Sequence, residues 1–456
     1  MTFLSARRLV PTCIISAAMV GALIAPGAAS ASEKGAHCSG VEIGGQGSSL
    51  QKLAQELWGP AFTTDKESTK SCAATGKPAI LKYNPTGSGA GLKSWGVRKE
   101  GVAEHLYGPT NAFVGTDEAP NEAQKGEIEE NENPLGVEPK NLESIPVLQA
   151  AVAVIVHLPT GCTEGTSESN KGRLVLNNST LEEIWRGVKT KWNQITDNKD
   201  TLKCATKEEE ESTIHYVVRK DGSGTTHIFK KYLGLINKET AFEVTNAKGE
   251  SAGSKTWDEI ASGAENQSWP TADAVERPAG NGGGEVVAKV AATPGSIGYA
   301  NMADARANAA FIPPTGGPKK VTFWVPIQDK ATTYADPASN KEAATLAESN
   351  CALEEYTNGK EAFPPANTRE SWSAITTKTE EPHYTICGLT FDLSFAAFKP
   401  FENNGATKGG STTASDYLQF ILDVKGGQKL IKKHDYAAVS ASVLKEAVKG
   451  ATEVGF

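Results

Sequence analysis

The sequence predicts an α/β protein built on open sheets. Short β-rich runs alternate with amphipathic helical stretches, and glycine-rich turns join several of these runs to the helices that follow. Residues 147–156 form a nearly continuous apolar run, which is typical of a strand buried on both faces. Strands that alternate with helices form open sheets, and such sheets bind ligands beyond the carboxyl ends of their strands.

The N-terminus predicts an exported protein. Arg7 and Arg8, an apolar run over 13–25 and Ala-Ser-Ala at 29–31 are typical of a signal peptide, which we place at residues 1–31. The chain has 456 residues, enough for two or three domains, and losing both arginines changes its net charge from −8 to −10. A strongly acidic exported protein is a poor candidate for binding nucleic acid or an anionic membrane.

The cysteines support export. Cys13 leaves with the signal peptide, and the six that remain predict three disulfides. We favour the pairs that each bracket one local segment, namely Cys38–Cys72, Cys162–Cys204 and Cys351–Cys387. The cysteines lack zinc-ligand spacing and are not grouped with histidines, so we expect no metal and no cofactor. Neither Cys13 nor Cys38 follows a convincing lipobox, which favours a freely diffusing periplasmic or extracellular protein over a lipid-anchored one.

The elements can be placed in order along the chain. Strands are predicted at 41–43, 80–83, 112–115, 147–156, 214–218 and 296–299. Helices are predicted from about 49, from 92, and over 179–185, 228–233, 286–290, 413–424 and 442–448, with a capping box starting at Ser179 for the third. The segments 126–139 and 330–369 are polar, and we expect surface loops or local elaborations there.

The stretch from Arg219 to Thr226 carries the clearest chemistry. A β-rich run ends at the arginine, and a glycine-rich turn then opens a helix, so backbone N–H groups, hydroxyls and a guanidinium converge on one point. An oxyanion needs this arrangement. Because Ser and Thr are also common helix caps, one such turn is weak support. The turns at 48–50 and 87–89 repeat the pattern, and three together favour a shared anion site.

Asp117 follows the predicted strand at 112–115 and is unusual beside an anion. A turn aspartate is the simpler interpretation. As a site residue, its carboxylate would be costly unless it accepted a hydrogen bond from the ligand. Monohydrogen phosphate carries such a proton and sulfate does not, so Asp117 would admit phosphate and reject sulfate. Asp221 either pairs with Arg219 or simply forms the turn.

Motifs of enzymes are missing from the sequence. The seven histidines form no zinc-protease pattern, Ser223 lies outside a G-x-S-x-G motif, and no Walker lysine follows a glycine-rich loop. His227 is expected at the surface and not as a general base. An exported phosphoesterase, or a binder of another oxyanion such as sulfate or molybdate, remains an alternative to a phosphate binder.

Four motifs together resemble a known family. They are Gly45–Leu50 with Leu57–Phe62 after it, Gly87–Gly91, Gly115–Pro120 and Arg219–Thr225. In this order the chain resembles the phosphate-binding protein of high-affinity phosphate ABC transporters, over essentially the whole mature length. The resemblance implies a two-lobed periplasmic-binding-protein fold of type II, in which each lobe is an open mixed sheet flanked by helices and the ligand cleft lies between the lobes. Lobe one would comprise residues 32–157 and 385–456, and lobe two residues 158–384.

The resemblance also implies roles for individual residues. Asp117 would accept the phosphate proton, Arg219 would supply the charge, and Asp221 would pair with Arg219. The remaining donors to phosphate would be Ser49, Leu50, Ser88, Ser223, Gly224 and Thr225. The family usually has an aromatic residue at Leu50 and a Ser-Asp pair at Thr116-Asp117, but Leu50 would act through its backbone. The implied function is a non-enzymatic monomer that captures inorganic phosphate and delivers it to a membrane permease.

Overall fold

The computed structural model describes most of the chain after residue 34. The described ranges are 35–97, 112–131, 141–163, 174–197, 202–237, 240–262, 266–271, 277–311, 321–330, 333–339, 348–351, 356–357, 363–377, 383–399, 402 and 406–456. The predicted signal peptide at 1–31 lies outside these residues, as do parts of the polar segments 126–139 and 330–369. Within the described ranges, no helix is both long and apolar enough to cross a bilayer.

The strands alternate with helices along most of the chain, as predicted. The strands are β1 Glu42–Gly47, β2 Ile80–Asn84, β3 Phe113–Thr116, β4 Leu142–His157, β5 Cys162–Thr163, β6 Lys203–Cys204, β7 His215–Arg219, β8 Phe242–Thr245, β9 Ser251–Lys255, β10 Trp269–Pro270, β11 Ala279–Gly280, β12 Ser296–Asn301, β13 Thr322–Val325, β14 Ile327–Lys330, β15 Thr333–Ala335, β16 Tyr356–Thr357, β17 Thr376–Thr377 and β18 Cys387–Phe395. The helices are α1 Lys52–Thr64, α2 Ser88–Ser94, α3 Glu122–Asn131, α4 Asn178–Trp185, α5 Lys207–Glu210, α6 Gly224–Ile236, α7 Gly282–Ala292, α8 Met302–Ala307, α9 Lys408–Leu422, α10 Gly427–Ile431 and α11 Ala441–Glu453.

The main sheet is mixed and runs in the order β11-β7-β12-β4-β18-β3-β1-β2, with β13 also paired to β4. β1 lies parallel to β2 and to β3, and β7 lies parallel to β11 and to β12. The two parallel groups are joined through antiparallel pairs made by the long strands β4 and β18. Each parallel group therefore directs the carboxyl ends of its strands to one edge, where ligands bind in open α/β sheets.

The 16-residue strand β4 links the two groups. Its first part, Leu142–Ala151, pairs with β18, and its second part, Val152–His157, pairs with β12. All but the last of its residues are buried, which explains the continuous apolar sequence. β4 therefore changes partner between Ala151 and Val152, in the middle of one strand.

Aromatic clusters fill the core on either side of β4. Phe62 of α1 contacts Tyr417 and Phe420 of α9, with ring centroids 5.2 and 5.5 Å apart. On the other side, Trp185 of α4 is the centre of a second cluster, whose members are Tyr216, Phe229, Trp269 and Tyr299. Burying these large rings supplies much of the hydrophobic stabilisation of the fold.

Several helix starts differ from the predicted ones. Helix α1 begins at Lys52 and not near Ser49, while α2 begins at Ser88 and not at Leu92. The predicted capping box at Ser179 is wrong, because Asn177 caps α4 by accepting a hydrogen bond from the Thr180 N–H at 2.7 Å. The first part of the polar segment 126–139 belongs to α3, so as far as residue 131 the structure has a helix there, which is a local elaboration and not a loop.

All three predicted disulfides are confirmed. They join Cys38 to Cys72, Cys162 to Cys204 and Cys351 to Cys387. The second links the paired strands β5 and β6, and the third ties the polar segment 330–369 to the start of β18. Cross-links of this kind limit the freedom of the unfolded chain.

Gly47 holds the ends of β1 and β3 together. Its φ is +127°, and a Cβ there would lie 2.1 Å from the carbonyl oxygen of Gly115. The Ser48 N–H donates to the same carbonyl at 2.7 Å, and the Gly87 N–H donates to the carbonyl of Gly47 at 2.6 Å. The turns that follow β1, β2 and β3 therefore meet around this glycine.

We predict that Gly47→Ala destabilises the protein far more than Gly76→Ala does. Gly76 also has a left-handed φ, of +66°, but has open space where a Cβ would stand. Gly76→Ala should therefore cost only the backbone term, roughly 1–2 kcal/mol. Gly47→Ala also forces a clash and should cost at least about 2 kcal/mol more. Urea unfolding of both variants measures the difference; equal losses would contradict this role for Gly47.

Candidate anion-binding site

The sequence-predicted site residues come together where the strands end. Ser49 follows β1, Ser88 follows β2 and Asp117 follows β3, while Arg219 is the last residue of β7. The turn from Asp221 to Ser223 then leads into α6, which begins at Gly224. A small cavity of about 80 Å³ lies beside these turns and is lined by Gly89 of α2, Gly222 and Ser223, but not by Ser49, Asp117 or Arg219.

Arg219 is the central cation of the cluster and is only 3% exposed. Its guanidinium forms a bidentate ion pair with Asp221, in which Nε donates to Oδ1 at 2.8 Å and Nη2 donates to Oδ2. Nη2 also donates to Ser49 Oγ at 2.9 Å, and Nη1 donates to Thr225 Oγ1 at 3.4 Å. Burial opposes the charged form, but the hydrogen bond and charge of Asp221 outweigh it and raise the pKa of Arg219.

The hydroxyls beside Arg219 keep their own protons. Ser49 and Thr225 accept hydrogen bonds from the guanidinium, so each O–H is available to donate elsewhere. Arg219 therefore fixes the oxygen of each hydroxyl without using its hydrogen. The result is a cationic group flanked by two oriented donors.

The start of α6 adds backbone donors. Ser223 is the N-cap, and its Oγ accepts from the Thr226 N–H at 3.1 Å. The N–H groups of Gly224 and Thr225 belong to the first turn, which has no intrahelical acceptor for them. The Ser223 N–H instead donates to Asn266 Oδ1 at 3.2 Å, so Ser223 can offer the site only its hydroxyl proton.

Asp117 faces these donors from the end of β3. Its Oδ1 accepts from Ser48 Oγ at 2.5 Å, whereas Oδ2 has only a long bond, 3.3 Å, from Ser88 Oγ. Burial raises the pKa of Asp117 to about 6, although Ser48, the charge of Arg219 and Ser88 lower it. Oδ2 is therefore the oxygen best placed to accept a further hydrogen bond.

Gly224 brings Asp117 and the helix start into contact. A Cβ on Gly224 would lie 2.4 Å from Asp117 Cβ and 2.6 Å from Ser88 Oγ. Any larger residue would push the turn away from both side chains. A second close approach is the hydrogen bond from the Gly89 N–H to the Gly222 carbonyl at 3.0 Å.

Leu50 and His227 lie near the cluster in surroundings that limit what each residue could contribute. The Leu50 side chain is buried and its carbonyl accepts from Tyr436 at 2.7 Å, so only its N–H could serve a ligand.

The prediction that His227 lies at the surface is wrong, because its side chain is only 12% exposed. Its Nδ1 lies 3.1 Å from Ser262 Oγ and 3.8 Å from Glu118 Oε2.

Two supporting residues were not identified from the sequence. Ser48 holds Asp117, and its place next to Ser49 in the same turn was the available signal. Asn266 binds both backbone groups of Ser223: its Oδ1 accepts from the Ser223 N–H, and its Nδ2 also donates to the Ser223 carbonyl at 2.8 Å. Asn266 is far from Ser223 in sequence and belongs to no motif, so no signal could have identified it.

Acidic groups outnumber the cation around this cluster. Burial raises the pKa of Asp304 to about 7, although Arg219, Lys52 and Asn301 lower it. Burial likewise raises the pKa of Asp392 to about 7; the amides of Gln51 and Gln55 lower it, and the charge of Asp117 raises it further. Neutral forms of these acids reduce the negative charge that an incoming anion would meet.

The chain belongs to the PBP superfamily, because a family model described as a PBP superfamily domain matches residues 29–356. A protein named phosphate-binding protein PstS, from Methanocaldococcus jannaschii, is 29% identical over 181 residues, which are 37% of this chain. The match spans 40% of that relative's length.

Solved structures show the same fold at low identity. A phosphate binding protein from Stenotrophomonas maltophilia is 16% identical, with a TM-score of 0.55 over 90% of this chain and 93% of its own. PfluDING, described as a high affinity periplasmic phosphate-binding protein bound with phosphate, is 15% identical, with a TM-score of 0.52 over 89% of this chain and 92% of its own. The fold is therefore the α/β periplasmic-binding-protein fold, as predicted.

The pKa of Asp304 predicts a pH-dependent stability. Between its ordinary pKa of 3.8 and about 7, the folded protein keeps a proton on Asp304 that the unfolded chain has lost. The free energy of unfolding therefore falls as pH rises through this window, by up to about 1.4 kcal/mol per pH unit.

Asp304→Asn should remove the contribution of Asp304 to the pH dependence of the free energy of unfolding. Urea unfolding from pH 4 to pH 8 measures this dependence. Glu122→Gln is the control, because the Glu122 side chain is 72% exposed and its removal should leave the slope unchanged. A slope that is identical in Asp304→Asn and the wild type would contradict a protonated Asp304 in the folded protein.

Proposed function

We propose that this protein is an exported solute-binding protein that captures inorganic phosphate and delivers it to an ABC-type membrane permease. The observation that carries the proposal is that one cluster contains both hydrogen-bond donors and an available hydrogen-bond acceptor. Arg219 and its hydroxyl neighbours donate to an anion, while Asp117 Oδ2 is left to accept. Only an oxyanion that itself carries a proton satisfies both sides.

Sulfate fits this arrangement poorly. At neutral pH it has no proton to give Asp117, so its oxygen and the carboxylate would face each other as two unpaired acceptors. In a buried site such a contact costs several kcal/mol. Monohydrogen phosphate instead donates its proton to Oδ2 and accepts from Arg219, Ser49, Ser88 and the start of α6.

Contacts between distant turns support capture by closure. We assign residues 32–157 and 385–456 to one lobe and residues 158–384 to the other. The bonds from Arg219 to Ser49 and from Gly89 to Gly222 then cross between lobes. The change of partner within β4 supports a crossing point near residue 151, a few residues before the boundary at 157.

Reversible binding accounts for the cluster better than bond cleavage. Ser223 caps α6 and is clamped by Asn266, and His227 contacts Ser262 and Glu118 and not a site hydroxyl. A serine held in this way lacks the adjacent base that activates a nucleophile. The relative named PstS and the sequence resemblance support delivery to a permease, and the three disulfides support an exported protein.

Calorimetry of the ligand-stripped protein at pH 7.5 tests the proposal. We expect one phosphate per chain and at least roughly 100-fold weaker sulfate binding, since about 2.7 kcal/mol of lost pairing corresponds to that ratio. Comparable affinities for the two anions would overturn the assignment of Asp117, and no binding of phosphate would overturn the function.

Asp117→Asn is the matched variant for this experiment. The amide has the same shape and still accepts a hydrogen bond, but it no longer repels an unprotonated anion. Sulfate binding should therefore gain, and the ratio of phosphate to sulfate affinity should fall by about tenfold or more. An unchanged ratio would place the selectivity elsewhere.

A further inference from the structure

Asp392 is a second buried carboxyl group behind the anion site. It lies on β18 and is paired with Gly115 of the neighbouring strand β3. Asp117 follows Gly115 by two residues. On its other side, Asp392 is paired with Ile145 of β4. Its exposed fraction is 0%, so it has no contact with solvent.

The hydrogen bonds around Asp392 are suited to a neutral acid. Its Oδ2 receives one long bond, 3.5 Å, from Gln55 Nε2, and its Oδ1 has no hydrogen-bond partner among the described residues. Gln51 Nε2 is bound to Thr390 and to the Phe391 carbonyl, each at 3.1 Å. An ionised carboxylate in this place would be stripped of water and poorly stabilised.

The titratable groups that face Asp392 are acids and phenols. They are Asp117 after β3, whose charge acts on Asp392, and Tyr83 of β2 and Tyr417 of α9, on which the charge of Asp392 acts. Helix α1 contributes only the neutral amides of Gln51 and Gln55. The described elements packed against Asp392 thus bring it no cation.

Asp117 is better suited to be the ionised member of the pair. Asp117 accepts from the hydroxyls of Ser48 and Ser88 and lies within the field of Arg219, whereas the hydrogen-bond donor to Asp392 is the amide of Gln55. Two interacting buried carboxyl groups do not ionise independently, and the better stabilised one gives up its proton first.

We propose that Asp392 is a neutral carboxylic acid that controls the anion site through Asp117. With its proton, Asp392 adds no charge and Asp117 accepts the proton of phosphate. Once Asp392 loses its proton, its charge repels both Asp117 and the anion, and phosphate is released more readily as pH rises. Asp392 is a positioning residue, because it acts through Asp117 without touching the ligand; this role rests on the proposed phosphate function.

Infrared spectroscopy tests the protonation independently of phosphate. At pH 6.5 the wild-type protein should show the carbonyl band of a neutral carboxyl group, and Asp392→Asn should lose part of that band. An Asp304→Asn variant identifies the contribution of the other neutral acid. Absence of the band in the wild type, or equal intensity in Asp392→Asn, would overturn the proposal; the first measurement needs no variant to fold.

Phosphate affinity from pH 6 to pH 9 tests the coupling. Phosphate's own ionisation affects every variant alike, so the informative quantity is the ratio of wild-type to Asp392→Asn affinity. This ratio should fall by about tenfold as pH rises, as expected for a repulsion of one pK unit. A constant ratio would overturn the coupling.

Asp416→Asn is the control for the affinity series. Asp416 is also buried on α9 but bonds the N–H groups of His37 and Cys38, away from Asp117. It should leave the pH profile of phosphate binding unchanged. If the wild type bound no phosphate at any pH, the proposed function would fail, while the infrared band would still decide the state of Asp392.

Discussion

The buried guanidinium of Arg219 is the interaction on which the organisation of the cleft depends. A charge in this place is tolerable only with partners, and Asp221 provides the matching carboxylate. The remaining N–H groups orient Ser49 and Thr225, which come from segments 170 and six residues away in sequence. One side chain thus fixes both the charge of the cleft and the direction of its hydroxyl donors.

The same cleft contains more acid than one arginine can neutralise. Asp221 is already paired, Asp117 has a pKa near 6, and Asp304 and Asp392 have pKa values near 7. The acids farther from hydroxyl and guanidinium donors are therefore the ones that keep their protons. This division leaves Asp117 Oδ2 as an acceptor beside the donors Arg219, Ser49 and Thr225, which explains why the proposed ligand is an anion that carries a proton.

The sequence predicted the α/β class, the main strands, the three disulfides and the turns that meet at the cleft. These features depend on local patterns: apolar runs, glycine-rich turns and cysteine spacing. Helix starts were less predictable, because capping by Asn177 competes with the pattern at Ser179. The clamp of Asn266 on Ser223 and the partner change of β4 were not predictable, since both depend on contacts between distant segments.

The most direct test of this account is the phosphate affinity of Arg219→Ala, measured by calorimetry on protein that retains the wild-type circular dichroism spectrum. Arg186→Ala is the control, because Arg186 pairs with Glu182 within α4 and its neighbouring turn, away from the cleft. We predict that Arg219→Ala loses about 2–5 kcal/mol of binding free energy and that Arg186→Ala loses none. Unchanged affinity in Arg219→Ala would contradict the central place of this arginine.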